Sequence, residues 1–326
     1  MVLTPVITAN SPVFVAGHKG LVGSALLRGL QARGHKNILT RDRKELDLRN
    51  QAAVDAFFAK EKPAAVLLAA AKVGGILANN NYPADFIRDN MQIEMNVFDA
   101  AHRHGVKQFV FLGSSCIYPR ECPQPMREEY LFTGHLEPTN RPYAVAKLAG
   151  VEMCWAYNRQ YGTQYLAVQP PNAYGINDNY DVQNSHVLQA FIRKCHEAKA
   201  GGQKQMTIWG TGKPRREFIY ADDLADGCLF LLFNDKALAS LTAPETLPMI
   251  NVGYGEDIGI RELAELVADV VGFKGEFVFD SEKPDGMPRK LMDSGRMVAL
   301  GWKPKVSLRE GIARAYQDYI SKYGHK

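Results

Sequence analysis

No stretch of the 326 residues reaches about 18 consecutive apolar side chains, the length a membrane-crossing helix needs. The opening segment, Met1 to Pro12, has neither a positively charged leader nor a continuous apolar core, so a secretory signal is not expected. Cysteine is scarce. Cys116, Cys122, Cys154, Cys195 and Cys228 are odd in number, loosely spaced and without a Cys-x-x-Cys pair. That argues against a disulfide framework and against a zinc site, and for a reducing compartment. Long blocks of like charge are missing too: 39 basic and 35 acidic residues leave a net charge of +4. Nucleic acid is therefore not an expected partner, although a local anion site stays open. Internal repeats and low-complexity tracts are absent. A cytoplasmic enzyme with no membrane contact and no metal is the expectation these gaps leave.

What is present is ordinary for a globular chain, with 46% hydrophobic and 23% charged residues. The length allows two lobes. Val13-Phe14-Val15-Ala16 is a short apolar run ahead of glycines, the pattern of a buried parallel strand. A helix over 21–33, a strand at 38–40, a helix over 51–60 and a strand at 64–71 follow. Then come a helix over 85–104, a strand at 108–112, a helix over 143–161 and a strand at 165–169. This alternation predicts an α/β fold of Rossmann type, a doubly wound parallel sheet. After about residue 175 proline, glycine and polar residues become frequent, as in Gly210-Thr211-Gly212-Lys213-Pro214. Helices are expected over 185–200, 222–233, 260–271 and 308–323. The reading is a dinucleotide-binding domain over 1–175, to which some later segments return, and a smaller α+β substrate lobe over 176–326. Ligands of such sheets bind at the strand C-termini.

Gly17-His18-Lys19-Gly20-Leu21-Val22-Gly23 follows the first strand and opens the first helix. Glycines there let backbone approach a pyrophosphate, and the helix N-terminus favours its charge. The spacing is Gly-x-x-Gly-x-x-Gly, one residue longer at the front than the usual fingerprint. The second strand leads into Thr40-Arg41-Asp42-Arg43-Lys44. Arg41 and Arg43 offer guanidinium forks to a ribose phosphate, and Lys19 adds a third cation. NADP(H) is the expected cofactor. Asp42 keeps NAD as the alternative, since a carboxylate there accepts from a ribose hydroxyl.

Tyr143 and Lys147 lie four apart after Pro142, hence on one helix face, with Pro142 suited to the first turn. A lysine cation near a phenol is expected to lower its pKa from about 10. Upstream, Gly113-Ser114-Ser115-Cys116-Ile117-Tyr118-Pro119 ends the fourth strand. Ser114 can donate to the same carbonyl oxygen that Tyr143 protonates. Read alone, Tyr-x-x-x-Lys is a weak pattern that more often marks an ordinary surface helix.

Ser114, Tyr143 and Lys147 with this glycine loop resemble the extended short-chain dehydrogenase/reductases, which reduce, epimerise or dehydrate nucleotide sugars. Five segments are similar to the GDP-L-fucose synthase family within them: Ala69-Ala70-Ala71-Lys72-Val73-Gly74-Gly75-Ile76, the segment 113–119, Glu137-Pro138-Thr139-Asn140-Arg141-Pro142-Tyr143, Asn184-Ser185-His186-Val187 and Lys283-Pro284-Asp285-Gly286-Met287-Pro288-Arg289-Lys290. The resemblance runs from about residue 12 to the C-terminus. It implies epimerisation of a GDP-4-keto-6-deoxy sugar at C3 and C5, then NADPH reduction at C4. It implies Cys116 and His186 as the acid–base pair for the inversions, with which is base left open. It implies Leu112, Gly113, Ser114, Lys147, Pro170, Pro171, Asn172, Ala173 and His186 around the nicotinamide end of the cofactor. It also implies Lys194, Trp209, Arg216 and Asp285 around the GDP-sugar. From the residues alone, Cys116 reads as a core thiol and His186 as a helix cap. Lys19 stands where the family commonly has arginine, Pro171 where it has threonine, and about ten residues precede the first strand. Two alternatives stay open: a related enzyme making a different GDP-deoxy sugar, and a non-catalytic dinucleotide sensor. The long helices over 85–104 and 143–161 suit a homodimer built as a four-helix bundle.

Overall fold

A computed structural model describes residues 7–181, 185–282 and 285–324. Asn184, Lys283 and Pro284 of the motifs above, and residues 1–6 of the leader, lie outside them.

The first half alternates strands and helices: β1 (Val13–Ala16), α1 (Leu21–Ala32), β2 (Ile38–Leu39), α2 (Gln51–Glu61), β3 (Ala65–Leu68), α3 (Ile76–Asn81), α4 (Pro83–Arg103), β4 (Gln108–Leu112), α5 (Arg141–Tyr161), β5 (Gln164–Gln169) and β6 (Asn172–Tyr174). The second half holds α6 (Val187–Ala200), β7 (Gln205–Trp209), β8 (Arg215–Tyr220), α7 (Ala221–Leu232), α8 (Asp235–Leu241), β9 (Met249–Asn251), β10 (Asp257–Gly259), α9 (Ile260–Val271), β11 (Glu276–Asp280), β12 (Arg289–Lys290), α10 (Gly295–Ala299) and α11 (Leu308–Tyr323).

The main sheet runs β2-β1-β3-β4-β5-β9, with parallel pairing throughout. Strand side chains alternate faces, and both faces are covered. Val13 and Val15 pack with Leu26 and Leu30 of α1 and with Leu224 and Leu229 of α7. Phe14 and Ala16 pack on the other side with Phe57 and Phe58 of α2, Phe98 of α4 and Val151 of α5. The chain leaves β1 toward β2 on one side and β3 toward β4 on the other, so the strand order reverses there and opens a crevice. The parallel doubly wound sheet expected from the alternation is the observed architecture. β9, α7 and α8 come late in the chain yet join this layer.

The remaining elements form a second lobe. β10-β8-β12, with β6 beside β8, make one small sheet, and β11 pairs with β7 in another. Phe191 and Ile192 of α6, Leu263 and Val267 of α9, Ile312 and Tyr319 of α11 and Phe218 of β8 share its core. The helices over 260–271 and 308–323 end where the sequence puts them. The strands escape it, because they are two to six residues long and bounded by glycine or proline. Pairing with distant segments, not local pattern, defines them.

Candidate active site

The loop after β1 is shaped by its glycines. Gly17 sits at φ +86°, and a Cβ there meets the Ala70 nitrogen at 2.7 Å. A Cβ on Gly23 would lie 2.0 Å from the Gly17 oxygen. These two are required by packing alone. Gly20 differs: its Cβ direction meets nothing nearer than the Gly17 oxygen at 3.5 Å. It heads α1 with no side chain capping the helix. The free N–H groups of that first turn therefore face open space that a side chain would fill, which suits the approach of a pyrophosphate. His18 adds a buried, unpartnered Nδ1 beside it. A dinucleotide fits these residues.

Of the three cations expected at the ribose, Lys19 lies 2.6 Å from Asp42. Asp42 also accepts from the Lys44 and Glu45 backbone N–H groups at 2.8 and 3.1 Å. Lys19 first, then those N–H groups, hold its carboxyl down at about 2. Its acceptor capacity is largely taken. Arg41 donates to Glu61 and to the Thr40 carbonyl, each at 2.7 Å, and lies 5.3 Å over the Phe57 ring. Arg43 keeps 73% of its side chain exposed, 3.9 Å from Asp47.

β4 delivers the chemistry. The Gly113 N–H donates to Val168 and the Ser115 N–H to Pro170, at 2.8 and 3.1 Å. The Ser114 N–H donates to Gln169 Oε1 at 2.8 Å. Gln169 lies so close under Gly113 that a Cβ would sit 2.1 Å from its oxygen. A short 3-10 turn, Ser115–Ile117, then brings the Cys116 N–H to Ser114 Oγ at 3.2 Å. Opposite, α5 presents Tyr143 and Lys147. Lys147 is 2% exposed, donates to the Leu112 carbonyl at 2.9 Å and sits 4.5 Å from the Phe111 ring centre and 5.9 Å from that of Tyr143. Glu94 of α4, equally buried, lies 3.3 Å from its ammonium. Removing one partner of such a pair strands a buried charge, at about 3–5 kcal/mol.

Burial corrects one expectation. Tyr143 is raised above its ordinary pKa, by burial first, then by Cys116 and Glu94, with a Ser114 hydrogen bond opposing. Desolvation outweighs the help expected from Lys147, and Glu94 adds to the rise. Burial lowers Lys147 itself, and Glu94 opposes that fall.

Cys116 has two neighbours to which the sequence assigned no role: Asn140 Nδ2 at 3.1 Å and Lys290 Nζ at 3.8 Å. Asn140 stands in the turn before α5 and was legible as part of its entry. Lys290 arrives from β12, far along the chain; it closes the last of the five resembling segments, which gave it no role. Gln169 and Glu94 likewise carried no signal beyond their strand and helix. Ser114, Cys116, Tyr143 and Lys147 are thus brought together at the C-terminal edge of the sheet. Pro170 to Ala173 follow β5 at the same edge, where Asn172 Nδ2 donates to the Glu217 carbonyl at 2.9 Å and ties β6 to β8. His186 caps α6 with its backbone. Its side chain is exposed, and desolvation lowers its pKa, which favours the neutral imidazole at neutral pH. Among the described residues no contact joins it to the Ser114 cluster.

The four substrate candidates do gather. Lys194 of α6 lies 5.6 Å over the Trp209 ring at the end of β7. Two residues on, the Thr211 N–H and hydroxyl donate to Asp285 at 2.9 and 2.6 Å. Asp285 in turn acts electrostatically on Arg216, whose burial lowers its pKa against that pull. Two cations and an aromatic face on one wall suit a nucleoside diphosphate.

Known proteins resemble the chain along nearly its whole length. The chain is 53% identical to GDP-L-fucose synthase 1 of Arabidopsis thaliana over 95% of its length and 94% of that protein. A GDP-6-OMe-4-keto-L-xylo-heptose reductase from C. jejuni superposes with a TM-score of 0.90 at 39% identity, covering 97% and 99% of the two chains. A GDP-L-fucose synthetase from Naegleria fowleri bound to NADP does so with a TM-score of 0.87 at 26% identity, covering 98% and 96%. The model of the NAD dependent epimerase/dehydratase family matches residues 13–253, and the chain belongs to that family.

Proposed function

We propose that the chain is an NADPH-dependent epimerase and reductase that converts GDP-4-keto-6-deoxy-D-mannose to GDP-L-fucose. One observation carries the reading. A reductase needs Ser114, Tyr143 and Lys147, yet the same cluster holds the Cys116 thiol, flanked by Asn140 and Lys290. That thiol is a second proton-active group beside the carbonyl site. The 53% identical relative is named GDP-L-fucose synthase 1.

The C4 ketone acidifies the C3 and C5 protons, because the electron pair left on carbon delocalises to the carbonyl oxygen. Ser114 and Tyr143 donate to that oxygen and stabilise the enolate. Inversion at each carbon needs proton removal on one face and delivery on the other. Cys116 and His186 are the pair for this, the neutral imidazole being ready to accept a proton. Burial keeps Tyr143 protonated, so it can give its proton to the C4 oxygen. NADPH bound at the glycine loop supplies the hydride to C4. Lys194, Trp209, Arg216 and Asp285 hold the GDP-sugar, and Arg41 and Arg43 face the adenosine ribose. Incubation with the ketosugar and NADPH, followed by NMR of the product sugar, is expected to give the 6-deoxy-L-galactose configuration. Recovery of the C4-reduced sugar without inversion would assign a different GDP-sugar enzyme.

NADPH is the preferred cofactor because Lys19 occupies Asp42 and removes the acceptor that favours NADH. The Michaelis constant for NADPH is expected to be about tenfold or more below that for NADH, as one charge-assisted contact predicts. Equal constants would contradict this.

The assembly in this reading is a cytoplasmic homodimer. Met95 of α4 and Val145 and Tyr161 of α5 leave 56%, 37% and 44% of their surface exposed on adjoining helices, and pairing with a second copy would cover them. Sedimentation at the monomer mass would refute it.

A further inference from the structure

We infer that Glu94 is a positioning residue that keeps Lys147 an ammonium beneath Tyr143 throughout the reaction. The inference rests on the catalytic reading above and extends it to a residue that touches neither substrate nor cofactor. Glu94 stands mid-helix in α4 at 1% exposure, one turn before Val97 and Phe98, which belong to an apolar core shared with Val151 and Cys154 of α5. Packing alone would place a hydrophobic side chain there. Neither carboxylate oxygen takes a well-formed hydrogen bond among the described residues, and the Lys147 ammonium, 3.3 Å away, is its counter-charge. A carboxylate held this way has one electrostatic consequence: it opposes loss of the lysine proton.

Among the described residues Glu94 is the charge that acts on Lys147. From α5 the ionisable groups coupled to Glu94 are Lys147, Tyr143 and Cys154. α3 carries none. α2 carries Asp55, Lys60 and Glu61, of which Asp55 is bound to Arg103 and His104, Glu61 to Arg41, and Lys60 reaches Glu61 at 4.0 Å. β4 contributes the Phe111 ring and the Leu112 carbonyl to Lys147 but no charge. Burial pushes Glu94 up to about 7, and its charge on Lys147 works against the desolvation that lowers the lysine. When Tyr143 gives its proton to the substrate oxygen, a tyrosinate is left. A neutral lysine cannot stabilise it; an ammonium can.

The sign follows. Glu94→Gln removes the opposing charge, so Lys147 loses its proton at lower pH. The alkaline limb of the kcat profile for C4 reduction is expected to move down by at least about one pH unit, a tenfold loss at pH 8 that largely recovers at pH 6. Glu94→Asp restores part of the shift. An unshifted profile in a folded Glu94→Gln enzyme overturns the inference, whereas inactivity of the wild type would strike the catalytic reading instead. A second measurement needs no substrate and no stable variant at position 94. In wild-type protein labelled with [13Cδ]glutamate, one buried carboxyl is expected to change its titration when Lys147 is replaced by methionine. A spectrum in which no glutamate responds overturns the inference independently of activity.

Discussion

Cys116→Ala is expected to stop exchange of solvent deuterium into C3 and C5 of the ketosugar and to reduce conversion by about 10²–10⁴-fold, the range for loss of a positioned acid–base group. The thiol is half-buried and its neighbours Asn140 and Lys290 are polar, so the truncation opens no large apolar cavity. Folding and NADPH binding should therefore persist, since the glycine cradle lies across the sheet edge from it. Deuterium exchange followed by NMR, with NADPH affinity measured by fluorescence, separates these effects. Exchange at the wild-type rate would remove the thiol from the chemistry.

Tyr143→Phe divides the reaction at another point. The ring, edge-on to Phe86 at 6.3 Å, is retained, so stability should change little. The phenolic proton is lost, and C4 reduction should fall by about 10²–10⁴-fold. Exchange at C3 and C5 should continue at a reduced rate, because Ser114 still donates to the enolate oxygen. The variant is thus expected to accumulate deuterated ketosugar, which Cys116→Ala cannot make. The pH dependence has a definite sign. Burial raises Tyr143, so the wild type keeps its acid form across the neutral range, and activity falls on the alkaline side as Lys147 loses its charge. Parallel loss of exchange and reduction in Tyr143→Phe would mean that the phenol, not the thiol, governs the inversions.

What could be read beforehand divides along a physical line. The glycine loop, Ser114 and the Tyr143–Lys147 pair are local patterns: each acts within one loop or one helix turn, and spacing is enough to place it. The main sheet was legible because β1, β3 and β4 are buried on both faces and read as continuous apolar runs. Glu94, Gln169 and Lys290 gain meaning only through contacts with distant segments. A glutamate in a long helix ordinarily faces solvent, and nothing in its neighbourhood says that Glu94 meets Lys147. The expected lowering of Tyr143 failed because burial, which the spacing of one helix turn does not reveal, raises the phenol. The short strands of the second lobe were hidden too, although Lys194, Trp209, Arg216 and Asp285, named by resemblance, converge on one wall.

A single reaction in deuterium oxide with unlabelled NADPH tests most directly whether two inversions and one hydride transfer share this cleft. The product sugar should carry deuterium at C3 and C5, taken from solvent through exchanging side chains, and protium at C4, taken from the nicotinamide. Protium retained at C3 and C5, or deuterium found at C4, would contradict that arrangement.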